Sequence, residues 1–163
     1  MPANTTNLIN FVFEIANKLR GPYRPPQYRK VMLPMTVLRR LDCVLAPTKD
    51  QVLKEYEKLQ ARGLEGDALH KVLARKASKE RNHPLYNISP YTFEKLLADP
   101  ENIATNLISY INGFSESARV IFEAFGFESE IEKLDKANRL YLVVKEFAGP
   151  RLNLHPKQVS NHD

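Results

Sequence analysis

The chain has 163 residues, 43% of them apolar, with a formal net charge of +5 and a single cysteine, Cys43. That length suits one domain with a real core, and no 18-residue apolar run is present to form a transmembrane helix. The N-terminus lacks the basic-then-apolar order of a secretory signal, and a lone cysteine cannot form an internal disulfide, so a reducing, cytoplasmic setting is expected.

Taken in order, the chain reads as helix after helix. Leu8, Phe11, Val12, Ile15, Ala16 and Leu19 recur at three- and four-residue steps and predict an amphipathic helix from about Thr6 to Arg20, capped by Asn4 or Thr5. Gly21-Pro22 ends it. Pro26 suits the first position of a second helix, whose core face is Tyr28, Val31, Met32, Met35, Leu38, Leu41 and Leu45. Pro34 lies inside that run and has no N–H for the carbonyl of Lys30, so a kink or break is expected there. Pro47 ends the segment. Thr48 with Gln51 reads as a capping box for a third helix to Arg62, stopped by Gly63.

A helix over 65–80 follows, then a loop, Arg81-Asn82-His83-Pro84-Leu85-Tyr86-Asn87. Ser89-Pro90 and Asp99-Pro100 each place a capping side chain before a proline, predicting helices over 90–98 and 100–112. Gly113 breaks the second. Ser115 caps 116–125, and Gly126 closes it. Ser129 with Glu132 predicts the longest helix, to about Ala148, before Gly149-Pro150. No period-2 strand or Asn-Gly hairpin is visible. The expected fold is all-α, an irregular bundle of seven to eight helices with no significant sheet. The tail breaks off after a helix start at Pro156, which reads as a cut rather than a natural end.

Catalytic signals are missing from this pattern. The six glycines form no GxGxxG or P-loop and read as helix stops or loop residues. His70, His83, His155 and His162 stand apart, without the clustering a metal site needs, and read as solvated or capping groups. Cys43 reads as a small buried residue. Asp42, beside Arg39 and Arg40, reads as half of a local ion pair. Asn4-Thr5-Thr6 and Asn87-Ile88-Ser89 match the glycosylation pattern by chance.

Charge is the remaining signal. Residues 1–45 carry seven basic and two acidic side chains, and residues 70–83 carry five and one; the rest is net acidic. Arg39 and Arg40, and Lys71, Arg75, Lys76 and Lys79, are candidates for contact with DNA phosphates; the alternative is an ordinary solvated helix face. Tyr23, Tyr28, Tyr86 and Tyr91 lie near basic residues, where they can stack on bases or pack into the core.

The stretch 19–42, LRGPYRPPQYRKVMLPMTVLRRLD, with the helix before it, resembles the N-terminal helical domain of the modification (methyltransferase) subunit of type I restriction-modification systems. The later runs YNISPYTFEKLLADPENIATNLISYINGFS, FEAFGF, IEKLDKANRLYLVVKEFA and LNLHPKQVSNHD fit the same pattern in order and spacing. The resemblance implies a parent subunit that transfers a methyl group from S-adenosylmethionine to adenine N6 in DNA. The family's glycine-rich cofactor loop and Asn-Pro-Pro-aromatic tetrapeptide do not occur here; Pro25-Pro26 follows Arg24. No catalytic, cofactor-binding or metal-binding residue is therefore carried over, and the chain alone is expected to be inactive and to hold no cofactor. Residues 1–150 are expected to form the helical domain, and 151–163 a truncated linker into a catalytic domain not contained in the chain. The implied partners are double-stranded DNA, the specificity and restriction subunits, and the subunit's own methyltransferase domain, with no membrane. Two other readings stand beside this one: a protein-docking domain without DNA contact, and a helix-turn-helix regulator built on 26–45 and 48–62. The second helix of that pair carries about as many acids as bases, a poor face for DNA.

Overall fold

Apolar residues at helical spacing bury one stripe of each segment, and the fold follows from where those stripes meet. The structure, a computed structural model, describes residues 2–77 and 85–149, with side chains from residue 6 onward. Among the described residues there are eight helices of nine residues or more and one single turn. They are α1 Pro2–Leu19, α2 Arg29–Leu45, α3 Lys49–Ala61, α4 Gly66–Ala77, the turn α5 Phe93–Leu97, α6 Ile103–Asn112, α7 Glu116–Phe125, α8 Phe127–Lys136 and α9 Leu140–Ala148. Two isolated bridges, Arg20 with Tyr23 and Asn87 with Phe114, are the only β-type pairings described. The all-α irregular bundle expected from the sequence is the fold.

α2 and α9 lie at its centre. Val31, Met35 and Leu38 of α2 are wholly buried, packed by α7, α8 and α9. α1 lies on α9, where Phe11 meets Phe147 edge to face at 5.0 Å between ring centroids. A run of rings, Tyr110, Phe114, Phe122 and Phe127, links α6, α7 and α8 at centroid spacings of 5.1, 5.9 and 6.3 Å. α3 and α4 form a hairpin that packs chiefly on itself. Thr48 Oγ1 donates to Ala77 O at 3.0 Å, and His70 Nδ1 meets Tyr86 OH at 2.8 Å.

Several boundaries differ from the sequence expectation. α1 begins at Pro2, so Asn4 and Thr5 lie within it rather than at its cap. Pro25–Gln27 is a short 3-10 turn, and α2 starts only at Arg29. α2 does not break at Pro34. One missing hydrogen bond near the start of a helix is outweighed by a buried face that includes the proline ring itself. Thr48 does not cap α3 through its side chain; its hydroxyl is spent on Leu45 O and Ala77 O. The helix expected over 90–98 is shorter. Ser89 is buried, and Thr92 instead caps α5 by accepting from the Lys95 N–H at 3.2 Å. Ser115 stands before α7 as expected, but its hydroxyl accepts from the Tyr86 N–H rather than capping the helix.

The largest correction concerns the expected long C-terminal helix, which is two helices, α8 and α9. Asn138 takes a left-handed conformation, φ 58°. Its N–H bonds Asp135 O at 3.0 Å, and the Arg139 N–H bonds Leu134 O at 2.9 Å. That paired pattern is a Schellman stop, with asparagine where glycine is commoner. The part of the 65–80 helix beyond Ala77, the loop residues 81–84, and the tail from 150 lie outside the described residues.

Candidate nucleic-acid interface

The six candidate cations fall on two elements. Arg39 and Arg40 are on α2; Lys71, Arg75 and Lys76 are on α4; Lys79 lies outside the described residues. α4 is amphipathic, with Leu73 and Ala77 buried, so residues on its far side must face water. Lys71 and Arg75, one turn apart, are both exposed there and form no described ion pair. Lys76 is half-buried beside them.

Arg39 is in a different position. Its Nη1 donates to Asp42 Oδ2 at 2.9 Å, its Nη2 reaches Ala148 O at 3.5 Å, and its guanidinium lies over the Phe93 ring at 5.3 Å from the centroid. The Arg39 Nε is buried without a hydrogen-bond partner. This side chain ties α2 to α5 and α9. Arg40 is half-buried on the neighbouring face of α2. The structure therefore brings Lys71 and Arg75 together on the hairpin and directs Arg39 to the interior.

Arg39 borders a buried polar cluster and a cleft of about 600 Å³ lined by Asp42, Lys49, Phe93 and Lys95 among others. Asp42 Oδ1 accepts from Tyr110 OH at 2.8 Å and from the Phe93 N–H at 3.3 Å. Lys49 Nζ donates to Asn87 Oδ1 at 2.8 Å, and Asn87 Nδ2 donates to Tyr110 O at 2.8 Å. Ser89 donates to the same Asn87 oxygen through N and Oγ, at 2.8 and 2.6 Å. Burial lowers the Lys49 amine to about 8; Asp42 opposes that shift and Lys95 adds to it. Burial, then the Asp42 carboxylate, hold the Tyr110 phenol well above its ordinary value. Sequence reading missed this cluster apart from the Arg39–Asp42 pair. A signal was present: Asp42 falls four residues after Leu38 and three before Leu45, on the buried stripe of α2, where a carboxylate needs partners.

The tyrosines serve the interior. Tyr23 OH donates to Glu130 Oε2 at 2.6 Å, and Lys133 Nζ sits 4.1 Å from its ring centroid. Tyr86 meets His70, and Tyr91 OH donates to Asn106 Oδ1 at 3.0 Å. Tyr28 packs half-buried on the core. Cys43 is buried, as its sequence context suggested. Among the described residues no group of His, Cys, Asp and Glu is placed to hold a metal ion, and no helix is long and apolar enough to cross a membrane.

The helices that position these groups, from Leu8 of α1 to Phe147 of α9, coincide with a family model. The HsdM N-terminal domain model matches residues 8–147. The chain belongs to the HsdM N-terminal domain family. It is thus an N-terminal domain of the modification subunit of a type I restriction-modification system, as the stretch 19–42 suggested, and part of a methyltransferase subunit. No curated protein and no solved structure matches the chain at a significant level. In this HsdM N-terminal domain the exposed pair on α4 and the internal arginine on α2 have separate tasks: one offers charge to solvent, the other holds three helices together.

Proposed function

We propose that the chain is the non-catalytic helical domain of a DNA adenine-N6 methyltransferase subunit, and that it helps to clamp DNA and to assemble the subunit with its specificity subunit. The observation that carries this reading is that Lys71 and Arg75 are exposed on one face of α4 and form no ion pair among the described residues, on a hairpin that packs chiefly on itself. Such side chains suit phosphate contacts, which position DNA without reading its sequence. Lys76 on the same helix and Arg40 on α2 are further candidates for such contacts, and Lys79 extends the α4 set in sequence. The restriction subunit and the subunit's own methyltransferase domain complete the assembly. S-adenosylmethionine belongs to that domain, where the methyl transfer takes place.

A salt titration of duplex DNA binding tests this. Phosphate contacts predict a log–log fall of affinity with salt, with a slope of about 0.9 per contact. Calorimetry with S-adenosylmethionine should give no heat of binding; micromolar binding would place a cofactor site in this chain.

A second reading is favoured by a separate observation. Leu8, Ile9, Val12 and Phe13 are exposed together on α1, with Phe13 at 65%. A cluster of that kind suits docking on protein. Absence of DNA binding at low salt would leave docking as the domain's sole role.

A further inference from the structure

Between Glu14 and Asp42 the chain has no carboxylate. Of the cations in that interval, Lys18 is spent on Glu14 and Glu146, and Arg39 on Asp42. Arg20, Arg24, Arg29 and Lys30 are all exposed and form no ion pair among the described residues. They occupy one corner, where the chain leaves α1, passes the Pro25–Gln27 turn and enters α2. The corner is held in shape. The Tyr23 N–H bonds Leu19 O at 2.9 Å, the Arg24 N–H bonds Gln27 Oε1 at 3.1 Å, and Tyr23 is buried beneath Lys133.

We infer that this corner, carrying Arg20, Arg24, Arg29 and Lys30, is a phosphate-contacting surface for double-stranded DNA. The inference rests on the DNA reading above and assigns it a second surface, distinct from α4. Three features favour it. Arg29 and Lys30 occupy the first turn of α2, which has no acidic residue and no side-chain cap. Cations there oppose the helix dipole and cost stability, so the placement serves something other than folding. Three of the four are arginines, whose forked donors match phosphate oxygens. An acidic protein partner fits less well, because protein interfaces centre on apolar and aromatic anchors. The aromatic side chain of the corner, Tyr23, is buried, and the large apolar side chain exposed within a turn is Leu33. Glu130, the carboxylate facing the corner, is already bonded to Tyr23 OH.

The test uses the 163-residue chain and fluorescence anisotropy with a short DNA duplex. The variant R20Q/R24Q/R29Q/K30Q is compared with a charge-matched control, K54Q/K58Q/R62Q/K145Q, whose residues are also exposed. The corner variant should reduce the salt slope by about 3–4 between roughly 50 and 200 mM salt and weaken binding at least about tenfold at the lower end, with the control close to wild type. The half variants R20Q/R24Q and R29Q/K30Q should each give about half the slope change, and helical circular dichroism should match wild type throughout. Wild type that binds while the corner variant is unchanged, or loses no more than the control, overturns this inference and leaves the DNA reading standing. Wild type that does not bind overturns the DNA reading and this inference with it. Loss of poly-glutamate binding in the corner variant with duplex binding retained assigns the corner to an acidic protein surface instead.

Discussion

Tyr110 on α6 donates a 2.8 Å hydrogen bond to Asp42 on α2, and both residues are buried. The same carboxylate takes Arg39 at 2.9 Å, so a single acid joins α2, α5 and α6. Asp42→Ala leaves an arginine largely withdrawn from water without its counter-charge. It should cost about 3–5 kcal/mol in chemical denaturation. Tyr110→Phe removes one hydrogen bond to a charged group and should cost about 1.5–3 kcal/mol. A loss below about 1 kcal/mol for Asp42→Ala would show that the cluster does not hold the helices together.

Lys49 makes stability depend on pH in the alkaline range. Its folded-state pKa, about 8, lies below the ordinary lysine value of 10.5. Below pH ~8 both states are protonated and the cost of burying the charge is fully present. Between pH ~8 and ~10 the unfolded chain binds more protons than the folded one, so stability should rise with pH. Above pH ~10 the raised phenols of Tyr23 and Tyr110 act the other way: the unfolded tyrosines ionise first, and stability falls. Denaturation midpoints should therefore peak near pH ~9–10. Lys49→Met should abolish the rise and keep the fall.

Gly113 is required for close packing rather than for its backbone angles. A Cβ there would lie 2.8 Å from Ser89 Cβ, 2.9 Å from Ser89 N and 3.0 Å from Asn87 Oδ1. These neighbours are buried and hydrogen-bonded to each other, so they cannot move aside freely. Gly113→Ala should lower stability by about 1–3 kcal/mol, read as a lower melting temperature. An unchanged melting temperature would mean that the 85–89 segment yields.

On α4, Lys71→Gln with Arg75→Gln should leave stability within about 0.5 kcal/mol, since both side chains are exposed and form no ion pair among the described residues. The same pair should lower the salt slope of DNA binding by up to about 2. An undiminished slope would remove α4 from the DNA surface.

Helix type was legible wherever one face repeats at helical spacing, as in Phe11, Ile15 and Leu19 of α1 or Val31, Met35 and Leu38 of α2. Gly63 and Gly126 were readable as stops because each ends its helix in the left-handed region, φ 76° and 62°. The stop at Asn138 was hidden. Charged residues run on either side of it, and the split is enforced by Ile131 and Leu134 below and Leu140, Val143 and Val144 above, which enter the core along separate helices. Ser89 and Thr48 looked like caps because a hydroxyl before a helical run is the usual sign. Tertiary partners, Asn87 for one and Ala77 for the other, took those hydroxyls instead.

The all-α class, the family and the concentration of basic charge in the N-terminal half were all readable from residue order alone. These rest on periodicity, composition and local order, which need no knowledge of distant contacts. Which cations remain open to a partner depends instead on contacts between distant segments. Arg39 and Lys71 read alike in the chain, each a basic residue on an amphipathic helix. Arg39 is drawn inward because folding brings Ala148, 109 residues away, and Phe93 to its side, while α4 packs chiefly on α3 and leaves Lys71, on its outer side, in water. A charge is neutralised by what surrounds it in space, and for Arg39 most of those surroundings come from far along the chain.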